Sequence, residues 1–146
     1  MMIISYIKIM NNKAKSLVVI MISIAVFVLL LRIVILSIIK INIEQNESNA
    51  QTTLKLIAIA LENYAKDNQG AFPAKISVLN HSSSKYLDKD YISLSPVQGY
   101  NYSCSRLEQS GYNCSAIPVN CNLTGKMNYT VSTGNLFVSE KCGKKE

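Results

Sequence analysis

Tryptophan is absent from the chain, histidine occurs once and proline three times. Each scarcity excludes something. A single histidine, His81, rules out a two-histidine metal site and the carboxylate–histidine motifs of zinc enzymes. No serine sits in a G-x-S-x-G or S-x-x-K setting, and the six glycines are scattered rather than gathered into a phosphate loop. Residues 1–40 contain no acid, and neither proline nor glycine interrupts Ser16 to Asp67. Nothing in that stretch breaks a helix, so it predicts one continuous helix of about 50 residues, roughly 75 Å long.

What fills the first part of that helix is apolar. Leu17 to Ile39 is interrupted only by Ser23, Arg32 and Ser37. At about 1.5 Å per residue this run spans roughly 35 Å, enough for a bilayer. A cleaved secretory signal would have an apolar region of about 7–15 residues and a small-residue cut site. This run is longer and no A-x-A pattern follows, so the expectation is an uncleaved single span. Lys8, Lys13 and Lys15 precede it; Lys40, Glu44 and Glu47 follow. The positive-inside rule then puts the N-terminus in the cytoplasm and residues 41–146 outside. Arg32 has two readings: it snorkels to a headgroup, or it pairs with an acid on a partner helix.

The basic excess is confined to the first 40 residues. Residues 41–146 hold ten Lys or Arg against nine Asp or Glu. A near-neutral domain is not built for phosphate backbones, so no nucleic-acid partner is expected. The chain divides into a short leader (1–14), a transmembrane half-helix (15–40), an amphipathic half-helix (41–70) and a globular part (71–146).

In the amphipathic half, Ala50, Leu54, Ile57, Ala58, Leu61 and Ala65 fall at helical spacing and form one stripe. Asn68, Gly70 and Pro73 end the helix. KISVL is a short helix or extended piece, HSSS a loop, and residues 71–99 a connection wrapped over the surface. From Tyr100 the period becomes two. YNYSCS and YNCSAIP, joined by a turn in LEQSG, predict one hairpin; MNYTVS and LFVS, joined by TGN, predict another. The expected fold class is α+β: a long N-terminal helix, its first half transmembrane, packed on a small antiparallel β-sheet.

Cys104, Cys114, Cys121 and Cys142 all lie on the expected outside, where an even number reads as two disulfides. Their gaps of nine, six and twenty residues do not form zinc knuckles. Facing strands make Cys104–Cys114 the expected short bridge, with Cys121–Cys142 tying down the tail. Four cysteines allow three connectivities.

Other candidate residues have bland readings. His81 and Ser82 to Ser84 are loop residues. Asp88 and Asp90 are solvated loop acids, too few for a calcium site with about six oxygen ligands. Tyr100, Tyr102, Tyr112 and Tyr129 pack the sheet; the other reading is a binding face for a surface, a sugar or single-stranded nucleic acid, the last disfavoured by the near-neutral charge of residues 41–146. Six N-x-S/T tripeptides, at Asn46, Asn80, Asn101, Asn113, Asn122 and Asn128, fit drift in an AT-rich genome, with Lys outnumbering Arg thirteen to two. No cofactor, metal or catalytic constellation is expected.

NESNAQTTLKLIAIALENYAKDNQGAFP (residues 46–73) resembles the helix end of bacterial type IV pilins and type II secretion pseudopilins. GYNYSC, SGYNCSAIPV and NYTVSTGN, within residues 99–135, resemble their sheet segments. The resemblance implies a pilin-like fold and a non-enzymatic fibre subunit in the bacterial cytoplasmic membrane, with a cell-surface fibre as its destination. It implies three partners: membrane lipid, sister pilin or pseudopilin subunits through the N-terminal helix, and a prepilin peptidase that methylates as well as cuts. The nearest processing register cuts between Ala14 and Lys15, and Ser16-Leu17-Val18 stands where the family has Thr-Leu-Ile. The register diverges at Val19, which takes the place of the family's glutamate; the family's helix-bending proline is also missing. That glutamate is thought to neutralise a neighbour's N-terminal amine, so its loss points to a minor or tip-like subunit. Two other readings stay open: a membrane-tethered extracytoplasmic binding module that never joins a fibre, and a single-span glycoprotein.

Overall fold

A computed structural model describes the backbone of residues 2–81 and 85–143, and the side chains of residues 16–80 and 85–143. One helix, α1 (Met2–Asp67), runs without interruption. It includes residues 2–14, which the sequence reading set apart as a leader; with no proline or glycine there, nothing halts the helix. Two compact units divide the chain, Met1–Lys40 and Ile41–Glu146, and α1 contributes to both.

The helix ends at Asp67 through a left-handed cap. The Gly70 N–H donates to the Ala65 carbonyl (2.7 Å) and the Asn68 N–H to the Tyr64 carbonyl (3.0 Å). Gln69 and Gly70 take φ of 56° and 88°. This is the six-to-one hydrogen bond of a Schellman cap, with Gln69 at the position glycine usually fills.

Within the second unit a short helix, α2 (Ser77–His81), precedes four strands: β1 (Tyr100–Glu108), β2 (Gly111–Pro118), β3 (Met127–Ser132) and β4 (Leu136–Lys141). They form one antiparallel meander in the order β1-β2-β3-β4. The first hairpin is tighter than the sequence implied, with only Gln109 and Ser110 between its strands. An irregularity between Cys104 and Arg106 lets β1 absorb an extra residue, Ser105, and continue to Glu108. The second hairpin closes at Thr133-Gly134-Asn135, and β4 runs two residues beyond LFVS.

The helix stripe and the sheet bury each other. Ala50, Leu54, Ile57, Ala58, Leu61 and Ala65 join one cluster with Tyr100, Tyr102, Tyr112, Cys114, Ala116, Tyr129 and Val131. Alanines on the helix leave room for tyrosines on the sheet. The connection between α1 and β1 does more than wrap the surface: Phe72, Ile76, Leu79, Leu87 and Tyr91 are buried in the same core. A single helix covers only part of a four-stranded sheet, and these side chains close the rest.

Candidate functional site

Between Leu17 and Ile38 the large apolar side chains are 45–63 % exposed on every side of α1. The stretch is long and apolar enough to cross a membrane. Its two hydroxyls are turned inward. Ser23 Oγ donates to the Val19 carbonyl and Ser37 Oγ to the Ile33 carbonyl, both at 2.9 Å. Each hydroxyl is thereby satisfied within the helix, as a low-dielectric surrounding requires. Arg32 is exposed on this surface. Val19 is 61 % exposed, so its side chain projects from the apolar surface. Ala14 and Lys15 lie within the backbone of α1, and their side chains fall outside the described residues.

In the second unit the structure joins Cys104 to Cys114, with Cα atoms 3.9 Å apart, and Cys121 to Cys142, with Cα atoms 5.8 Å apart. The first bridge links directly facing residues of β1 and β2. The second closes the loop after β2 against the residue following β4. Thus an apolar helix continues into a stripe that packs on a disulfide-bonded antiparallel sheet. The fold is pilin-like. No family model matches the chain, and no curated protein does. Among solved structures, the chain is similar to the Neisseria meningitidis non-core minor pilin PilV. Identity is 16 %, 73 % of this chain and 94 % of that one are covered, and the TM-score is 0.44.

Among the described residues, no group of three or more His, Cys, Asp or Glu side chains is placed to hold a metal ion. Asp90 Oδ1 accepts from the Ile92 and Ser93 N–H groups (3.0 and 3.1 Å), and Asp88 Oδ2 from the Tyr91 hydroxyl (3.2 Å). Both aspartates serve loop geometry. The His81 backbone ends α2; its side chain and Ser82 to Ser84 lie outside the described residues. Tyr100, Tyr102, Tyr112 and Tyr129 are buried to 3 % exposure or less, so none offers a stacking face to a ligand. Burial pushes all four hydroxyls above the usual tyrosine range. At Tyr112 a hydrogen bond to Glu62 and that carboxylate's charge add to the rise.

Polar residues of α1 that the sequence reading passed over fasten the helix to the sheet. Glu62 Oε1 accepts from the Tyr112 hydroxyl (3.0 Å) and the Gly134 N–H (2.8 Å). Glu47 Oε1 accepts from the Lys126 N–H (2.7 Å), Asn46 Nδ2 donates to the Thr124 carbonyl (3.0 Å), and Gln51 Nε2 donates to the Tyr129 hydroxyl (3.1 Å). A signal for two of them was present. Stepping back three or four residues from Ala50 lands on Glu47 and Asn46, so the buried period continues there in polar form. Close packing repeats the theme at Gly125, where a Cβ would collide with the Tyr100 ring and hydroxyl.

Proposed function

We propose that this chain is a non-enzymatic, membrane-held subunit of a type IV pilus or type II secretion pseudopilus, occupying a minor position. One observation carries the reading: a single helix supplies both a 23-residue apolar surface, Leu17 to Ile39, and the stripe that the head's sheet buries. A soluble domain has no use for the first, and a simple anchor has no need to be continuous with the second. In this reading lipid covers the apolar surface before assembly and sister helices cover it afterwards. Lys8, Lys13 and Lys15 keep the N-terminus in the cytoplasm. The disulfides then belong to the oxidising side. Val19 leaves no carboxylate for a neighbour's amine, which suits a subunit present in few copies.

The test is the intact mass of the protein taken from its own membranes, followed by co-purification. Loss of residues 1–14, with or without one added methyl, together with sister pilins in the eluate, supports the reading. A retained leader and no sister subunit overturn it. Val19 favours a second reading, a permanent tether that displays the head and never enters a fibre, and that second result is the one it expects.

A further inference from the structure

Hydrogen bonds from α1 rank the parts of the second unit along the helix. Gly134 meets Glu62, Tyr129 meets Gln51, Lys126 meets Glu47 and Thr124 meets Asn46. Residues 119–126, between β2 and β3, therefore lie at the end of the head where α1 enters. Val119 shares that end: its N–H donates to the Gly99 carbonyl (2.9 Å), and a Cβ on Gly99 would fall 2.8 Å from Asn46 Nδ2.

Here apolar side chains face outward from a braced turn. Leu123 is 54 % exposed and Val119 44 %. The Leu123 and Thr124 N–H groups both donate to the Asn120 carbonyl (3.1 and 2.9 Å), and the Asn122 N–H donates to the Gly125 carbonyl (2.8 Å). The Cys121–Cys142 bridge ties the turn to the residue after β4. A backbone already held in this way has little freedom left to lose when Leu123 is covered.

Chain connectivity points to what covers it. The large apolar side chains of residues 17–38 stay 45–63 % exposed on α1, whereas Ile43 is 4 % exposed. Other parts of the head must cover Ile43, so the head reaches that residue. Ile43 follows Ile39, the end of the apolar run, by four residues, about 6 Å of helix. A bilayer about 40–45 Å thick around a core of about 30 Å has a headgroup layer roughly 5–7 Å deep on each side. With Ile39 at the hydrocarbon boundary, this end of the head begins at headgroup depth. The covalent tether makes the encounter intramolecular. Charge is not the attraction, since Glu44, Glu47 and Glu140 offset Lys126 and Lys141.

We propose that the turn at residues 119–126 is a membrane foot, with Leu123 and Val119 inserting among the lipid headgroups of the leaflet that faces the head. Apolar burial drives the contact. The proposal rests on the membrane-held reading of α1, and it holds for a subunit awaiting assembly and for a permanent tether alike.

The experiment uses the full chain in lipid nanodiscs, of phosphatidylcholine alone or mixed with phosphatidylglycerol. Methyl NMR is read with lipids spin-labelled either high on the acyl chain or at its end. The end label is expected to broaden Leu30, which reports the span. The high label is expected to relax Leu123 and Val119 strongly in both lipids. It should leave Leu136 unrelaxed: that leucine is 63 % exposed but lies two residues from Gly134, which bonds to Glu62. Glu62 is 16 residues beyond Asn46, about 24 Å along the helix. Leu123→Ser is expected to lower the docked-to-free ratio about fivefold, read at Val119, because roughly half of a leucine's burial is at stake. Three results would overturn the proposal while Leu30 is still broadened. Leu123 relaxed no more than Leu136 means no contact. Val119 relaxation unchanged by Leu123→Ser means the turn is merely close to the lipid. Relaxation seen only with phosphatidylglycerol means an electrostatic contact instead. Leu30 left unbroadened would remove the membrane-held reading itself, and the proposal with it.

Discussion

Replacing Glu62 by Ala tests how the helix is held to its sheet. One carboxylate oxygen accepts two hydrogen bonds, from a buried hydroxyl and from the backbone of the β3–β4 turn. Hydrogen bonds to a charged group contribute about 1.5–3 kcal/mol each. Glu62 is half-buried, so the low end applies and solvent screening reduces it further; about 2 kcal/mol is expected for Glu62→Ala. Tyr112→Phe removes one of the two bonds and is expected to cost about 1–2 kcal/mol. Once Glu62 is gone, the Tyr112 hydroxyl has lost its acceptor, so removing it adds little. The double-mutant cycle is therefore expected to show a coupling of about 1 kcal/mol. The assay is urea unfolding of the full chain in micelles, followed by near-UV circular dichroism. Seven of the eight tyrosines lie beyond the apolar run, so this signal reports the head. A coupling below about 0.3 kcal/mol, within the additivity of independent sites, would refute the reasoning.

Gly125→Ala is expected to destabilise the head by about 1–3 kcal/mol, because the new methyl meets a fully buried Tyr100 ring that cannot withdraw; the same unfolding assay checks it. Removing either disulfide by paired Cys→Ala substitution is expected to cost about 3 kcal/mol, slightly more for Cys121–Cys142, whose sequence separation is 21 against 10. Comparing the two variants' unfolding midpoints in oxidising buffer tests that order. Alkali should unfold the head. Burial raises the folded-state pKa of Tyr91, Tyr100, Tyr102, Tyr112 and Tyr129. The folded state therefore holds protons that the unfolded state has released. Stability from this source is complete below about pH 10 and falls above it, by up to about 1.4 kcal/mol per pH unit for each tyrosine. A stability profile flat through pH 11 would contradict that.

The helix was legible because its signals are local: no breaker from Ser16 to Asp67, then a stop. The sheet was legible because Tyr100, Tyr102, Tyr112, Cys114, Tyr129 and Val131 alternate with polar residues. The β1 irregularity at Ser105 was not legible, since nothing in YNYSCSRLE marks one residue as surplus to the pairing. Nor was the role of the connection. Phe72, Ile76, Leu79, Leu87 and Tyr91 follow no period and declare themselves only when a sheet is there to be covered. Glu62 escaped notice because its partners, Tyr112 and Gly134, are 50 and 72 residues away.

Ser23 and Ser37 have a wider consequence. With their hydroxyls turned back onto the helix, the surface from Leu17 to Ile39 makes, apart from Arg32, no directional demand on its surroundings. An acyl chain and a leucine on another helix meet it on nearly equal terms. Such a cylinder can turn about its own axis or slip along a neighbour without breaking a hydrogen bond. It behaves as a smooth bearing, and Arg32 is its one tooth.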